Sequence, residues 1–190
     1  AAFMMYGVVS GVYRITEAGL NPLELILVGT VLEISAFLFE IPTGVVADVY
    51  SRRLSLIIGR FLVGAGFIVE GLFPIFGAIL FAQVLWGIGS TFGSGAREAW
   101  IADELGGRDV GRTFLRGSQV GRVGGIVGMA MGVALASGYT DLAIPDLAVP
   151  LVAGGCLNIL LGLFMVLAMP EEGFHPAPIQ DRKPWTAISQ

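Results

Sequence analysis

Charge is what this sequence has least of. Asp, Glu, Lys and Arg make up 14% of its 190 residues, against roughly 25% in ordinary soluble domains. A soluble chain of this length must clothe its surface in polar groups, and this one lacks them. With 55% hydrophobic residues and a mean hydropathy of +0.80, a bilayer is the solvent that tolerates the composition. Cysteine is limited to Cys156, so no disulfide can form within the chain. Its place in an apolar run reads as small-residue packing. The single histidine, His175, leaves no metal cluster and no Ser/His/Asp or Cys/His set, which argues against an enzyme, metal-dependent hydrolases included. No G-x-x-x-x-G-K-[ST] loop is present, so ATP-driven chemistry has no support. Gly87, Gly89 and Gly93 are not a dinucleotide fingerprint, because no strand precedes them and the spacing is wrong. No cofactor is expected. Lys and Arg total 11 against 15 Asp and Glu, a net charge of −4. Without a basic patch interleaved with aromatics, nucleic acid is not an expected partner.

What is there is apolar length. Crossing the hydrocarbon core takes about 20 apolar residues as a helix. Six stretches meet or approach that: Ala1 to Thr16, Leu23 to Ala47, Leu54 to Phe73, Phe76 to Ile101, Phe114 to Ser137 and Ala143 to Ala168. Asn21-Pro22, the charged turn Asp48 to Arg53, Pro74, the segment Leu105 to Asp109, the segment Gly138 to Pro145 and Met169-Pro170 punctuate them. The sequence has no charged lead-in or small-residue cleavage site of a signal peptide. It reads as a fragment whose first span is clipped. The expected organisation is a six-span helical bundle over 1–170, followed at 171–190 by the start of a polar, Pro-containing cytoplasmic linker.

Basic residues set the expected orientation. Arg52 and Arg53 lie in the second loop, Arg108, Arg112 and Arg116 in or just after the fourth, and Arg182 and Lys183 in the tail. Six alternating spans put these three regions on one side, which the positive-inside rule makes the cytoplasm. The other side offers little beyond Arg14. An inner (plasma) membrane location of bacterial type follows as the expectation.

Ionisable side chains inside spans are costly and are usually paired or functional. Glu33 and Glu40 are seven residues apart, two helical turns, and share a face. Arg60 and Glu70 lie in the third span, Arg97 and Glu98 in the fourth, and Arg122 about two turns into the fifth. One reading pairs Arg60, Arg97 and Arg122 with Glu40, Glu98 or Asp103 to hold one end of the bundle together. The other makes a carboxylate, Glu33 first and Glu40 next, a proton-binding group. Gly117, Gly121, Gly125, Gly128 and Gly132 form a small-residue stripe on the fifth span that suits close helix packing.

The turn GVVADVYSRR, Gly44 to Arg53, resembles the signature G-x-x-x-D-R-x-G-R-[RK] of the major facilitator superfamily. Gly44, Asp48, Arg52 and Arg53 match it, while Val49 and Ser51 depart from it. Glu40 and Pro42 before the turn, with Gly44, resemble a common version of this superfamily's second span, and the segment SGAREAWIADEL, Ser94 to Leu105, resembles the fourth-span ending of drug-exporter-like bacterial members. The resemblance implies an all-α membrane protein, the N-terminal six-span half of a twelve-span carrier built as a 3+3 inverted repeat, with its second half as partner. It implies a network of Asp48, Arg52 or Arg53, and Asp103 that stabilises an outward-facing state and breaks as the halves rock. It nominates Tyr6, Tyr13, Glu33, Phe37, Gln83, Trp86 and Ser90 as cavity-lining. Gln83 stands where the family's R-x-x-Q-G-x-G motif has Arg, and GRVGG at Gly121 to Gly125 lacks the Pro of the antiporter motif. The candidate proton or substrate residues are Glu33, Glu40, Gln83, Trp86, Glu98 and Arg122. The expected function is secondary active transport of a small solute by alternating access, in its finer form proton-coupled efflux of amphipathic or cationic compounds. A metabolite or lipid carrier of the same fold, and a non-transporting six-span receptor or assembly subunit, remain alternatives.

Overall fold

Asn21-Pro22 does more than interrupt an apolar run; it starts a helix. The Asn21 side chain accepts from the Glu24 amide at 3.0 Å, and the Glu24 carboxylate accepts from the Asn21 amide at 2.9 Å. This reciprocal cap, with Pro22 pre-set at the first helical position, fixes the start of the second helix. Ser51 does the same for the third, accepting from the Leu54 amide at 2.8 Å. The computed structural model describes residues 1–106, 108–138 and 144–174. The expected linker beyond 174, with His175, Arg182 and Lys183, lies outside the described residues.

Among the described residues all regular structure is helical: α1 (Ala2–Thr16), α2 (Pro22–Val49), α3 (Arg52–Leu72), α4 (Phe76–Gly93), α5 (Ala96–Glu104), α6 (Val110–Leu135) and α7 (Ala148–Ala168). The fold is that of an all-α membrane protein. Five segments, with α4 and α5 counted as one, are long and apolar enough to cross a bilayer. The 15 residues of α1 reach only about 22 Å, short of the roughly 30 Å hydrocarbon core.

The fourth apolar stretch is not the single helix expected from Phe76 to Ile101. Ser94 is extended and Gly95 adopts φ +70°, a left-handed conformation open to glycine at little cost, so the chain leaves α4 and restarts as α5. Pro42 inside α2 removes one helical donor, yet α2 runs on to Val49.

Packing between the spans is ordered. The third (α3) packs on the sixth (α7) and on the fourth (α4), and the second (α2) packs on the fourth; the first (α1) packs on the fifth (α6) and the sixth. Exchanging first with fourth, second with fifth and third with sixth maps the third–sixth contact onto itself and the other four onto one another in pairs. Because successive spans alternate in direction, the relation is an inverted one. The 3+3 repeat is therefore visible in the packing although the two triplets show no clear sequence echo. Glycines let α3 and α7 approach closely. A Cβ on Gly64 would stand 2.9 Å from the Gly155 carbonyl oxygen, and one on Gly155 would stand 2.7 Å from that of Gly64.

The glycine stripe on α6 is used only in part. A Cβ on Gly132 would meet the Met5 carbonyl oxygen of α1 at 2.9 Å, whereas Gly117 and Gly121 have nothing within 4 Å. Cys156 is exposed on α7 rather than packed as the sequence suggested, because the face of α7 that meets α3 is taken by Gly155 and Ile159.

Candidate functional site

The helix caps bring three charged segments together at one end of the bundle, here called the basic end. Ser51 starts α3 so that Arg52 projects beside the end of α5, where its guanidinium pairs with Asp103. Asp48, four residues earlier and 64% exposed, lies 3.9 Å from Arg52 and is the looser partner. The ring of Phe174 covers the Arg52 guanidinium, with 5.8 Å from Cζ to the ring centroid. Arg53 does not join this network. Its guanidinium donates to the Val166 carbonyl at 2.5 Å, tying α3 to the last turn of α7. Glu171 completes the junction: its carboxylate accepts from the Ser51 hydroxyl at 2.6 Å and from the Arg53 amide at 2.9 Å. A carboxylate at a helix N-terminus satisfies orphan amides and complements the helix dipole. Gly44, one turn before Asp48, has open space where a Cβ would lie.

A second charged cluster sits near the opposite end and is buried. Glu70 is 1% exposed. One carboxylate oxygen accepts from Arg14 Nε at 2.8 Å; the other accepts from the Tyr6 hydroxyl at 2.8 Å, from Gln83 Nε2 at 2.7 Å and from Arg14 Nη2 at 3.3 Å. Arg14 Nη2 also donates to the Tyr6 hydroxyl at 2.5 Å. The Tyr13 hydroxyl donates to the Glu70 carbonyl at 2.7 Å. Both carboxylate oxygens are engaged, as a buried charge requires. The cluster joins α1, α3 and α4 and rests on an aromatic stack. Tyr6 lies flat on Phe67 at 3.9 Å, and Trp86 meets both rings edge-on at 5.3 and 5.4 Å.

Between the two ends lies a cavity of about 340 Å³ lined by α3 and α4, with Phe3 of α1 and Asn158 of α7. Trp86 and Ser90 line it, and so do Ser94, Arg60 and Arg97. Gln83 does not; it is 1% exposed and spends its amide on Glu70. Tyr6 and Tyr13 are likewise buried in the Glu70 cluster. Glu33, Phe37 and Glu40 share a face of α2 that is exposed. Glu40 accepts from the Ser94 hydroxyl at 3.1 Å, while Glu33 has no hydrogen bond or ion pair among the described residues. Of the expected pairs between arginines and carboxylates, one forms: Arg97 with Glu98, sequence neighbours 2.6 Å apart and both exposed. Arg60 and Arg122 form none among the described residues. The reason is local. Arg52 takes Asp103, Ser94 takes Glu40, and Arg122 is exposed beside α1, at a cavity whose other lining residues include no carboxylate.

The model of the Major Facilitator Superfamily matches residues 1–190. The chain belongs to that superfamily. Over 120 residues it is also 28% identical to an uncharacterized MFS-type transporter, YxaM, from Bacillus subtilis (strain 168). The aligned stretch covers 62% of this chain and 28% of that protein, well under two thirds of its length. Membership makes this an integral membrane protein of a transporter family.

Within this superfamily member, sequence reasoning missed two groupings. The Glu70 cluster joins Arg14 and Glu70 across 56 positions, and its signal was the rarity of ionisable residues in the first and third spans. The hold of Glu171 on the start of α3 was hidden because Glu171 stood in what read as a linker.

Proposed function

We propose that this chain is the N-terminal six-span half, over 1–170, of a secondary active carrier that moves a small solute by alternating access, with a second half of similar size completing the site. The finer proposal is proton-coupled efflux of amphipathic or cationic compounds from a bacterial inner membrane, with the second and fourth loops in the cytoplasm. One observation carries the reading: the link of Arg52 to Asp103, with Asp48 beside it, where the α2–α3 turn meets the end of α5. Charge-assisted hydrogen bonds contribute about 1.5–3 kcal/mol each, which matches the few kcal/mol separating two populated conformations. Such a link can hold one state and still be broken in the cycle. Glu33 supports the coupling role. Among the described residues it has no hydrogen-bond or ion-pair partner, and a carboxylate at membrane depth is costly unless it faces water or a cation.

The test is transport by the intact protein in liposomes, with ethidium as a cationic amphiphile and an imposed pH gradient. Gradient-driven ethidium movement that a protonophore abolishes, and that Glu33→Gln loses at equal protein content, is the expected result. Movement indifferent to the gradient would remove the proton coupling. Unchanged pH-dependent transport in the Glu33→Gln protein would remove Glu33 from it.

A further inference from the structure

Arg60 is a cation without an anion. It lies eight residues into α3, about 12 Å from the first residue of that helix, and is partly buried between α3, α4 and α7. Among the described residues it makes no ion pair and no hydrogen bond. The charged side chain that shares its cavity is another guanidinium, Arg97. Glu98 neutralises Arg97 at 2.6 Å, and Glu40 is committed to Ser94 at 3.1 Å, so neither carboxylate is bonded to Arg60. An unpaired charge at membrane depth is costly, and a second positive charge on the same cavity adds to that cost.

The groups the cavity offers an anion are the two guanidinium groups; Trp86 and Phe3 supply apolar rings to its wall, and the Ser90 and Ser94 hydroxyls that also line it donate to the Gly87 carbonyl and to Glu40. Arg60 and Arg97 also border an adjoining cavity of about 350 Å³ whose lining is otherwise apolar, including Leu161, Phe164 and Met165. A guanidinium presents several donors in a planar fork suited to carboxylate and phosphate. We infer that Arg60, assisted by Arg97, binds the acidic head of an amphipathic anion, a carboxylate or phosphate whose apolar part lies against the neighbouring walls. The shared chemistry has two sources, a bilayer phospholipid and a free amphiphile. The inference does not need the carrier to run, because binding is read without transport; its failure and that of the transport proposal are separately visible.

The experiment uses the intact protein in phosphatidylcholine nanodiscs, with tryptophan emission and thermal unfolding as readouts. Dodecyl phosphate is the probe and dodecyltrimethylammonium its cationic counterpart. Dodecyl phosphate is expected to bind saturably and raise the unfolding temperature in a way that depends on Arg60, whereas binding of the cation, as at a transport site, is expected to be the same in the parent and in Arg60→Gln. Arg60→Gln is expected to weaken the phosphate amphiphile at least tenfold, Arg60→Lys less, and Arg116→Gln, an exposed arginine on α6, not at all. Without the probe, Arg60→Gln is expected to unfold no sooner than the parent, since it removes an uncompensated charge; that sign separates a binding residue from a structural one. Replacing part of the phosphatidylcholine by phosphatidylglycerol identifies the source: loss of dodecyl phosphate binding assigns the site to lipid, and its persistence assigns it to a free amphiphile. Equal binding of dodecyl phosphate by parent and Arg60→Gln, weakening of the cationic amphiphile by Arg60→Gln as large as that of the phosphate, or early unfolding of Arg60→Gln would each overturn the assignment.

Discussion

Replacing Glu70 by Gln should be among the most damaging conservative changes in the chain. The substitution keeps one acceptor oxygen but removes the charge facing Arg14, whose side chain is only 16% exposed. Removing one partner of a buried ion pair costs about 3–5 kcal/mol in water-soluble proteins, mostly from the charge left behind. In a bilayer the unfolded chain also finds polar partners, so polar contacts there are measured lower. Weighing the two gives a loss of roughly 2–4 kcal/mol, the buried charge outweighing the discount. Arg14→Gln should cost a similar amount, because it strands the Glu70 carboxylate with only the Tyr6 and Gln83 donors. The double variant strands no charge. It should be more stable than the sum of the single losses predicts, by at least about 1–2 kcal/mol, within the usual range for contacting residues. Tyr6→Phe keeps the stack on Phe67 and loses two hydrogen bonds to charged groups, one donated to Glu70 and one accepted from Arg14, each about 1.5–3 kcal/mol. The assay is unfolding of the intact protein in mixed micelles, followed by tryptophan emission, because Trp86 packs edge-on against both Tyr6 and Phe67. Single losses below about 0.5 kcal/mol, the range of an ordinary surface change, or strict additivity in the double variant, would refute the claim that these charges hold α1 to α3.

Two further outcomes separate packing from open space and from topology. Gly64→Ala should destabilise by about 1–3 kcal/mol, the usual cost of overpacking, because its methyl would press on the Gly155 carbonyl. Gly117→Ala, with nothing within 4 Å, should be neutral or stabilising by a few tenths to about 1 kcal/mol from helix propensity; thermal unfolding of the two variants side by side tests the ranking. In a Cys156→Ser background, single cysteines at Arg52 and at Arg108 should react with a membrane-impermeant thiol reagent from the same compartment, and labelling from opposite compartments would break the six-span threading.

Much of the fold was legible because it depends on local chemistry. The capping box at Asn21 and Glu24 and the Ser51 cap are readable from a few consecutive residues, and each sets a helix start. The restart at Gly95 was harder. Ser94 and Gly95 sit inside an apolar stretch, and only the backbone conformation shows that the helix is broken there. The meeting of Arg52 with Asp103 came from resemblance to a family motif, because spacing alone cannot bring together residues 51 positions apart. The same limit hid the Glu70 cluster. Sequence could say that a charge at membrane depth needs a partner, but not that Glu70 would choose Arg14 while Arg60 would go without.

That contrast bears on how this bundle behaves as a body. α1, α3 and α4 are joined by a saturated buried cluster, and α3 and α7 by a glycine contact too tight for a methyl on either side. These are packed, discrete arrangements that resist gradual deformation. Exposed faces belong to α2 and α6, which carry Glu33 and Glu40 on one and Arg112, Arg116 and Arg122 on the other. Lipid is a poor environment for either set. A motion that exchanges what covers those faces, while leaving the Glu70 cluster intact, therefore costs less than one that bends the bundle internally. In the physical sense this favours rigid rocking, and it assigns the tolerance for change to α2 and α6 and the intolerance to α1, α3 and α7.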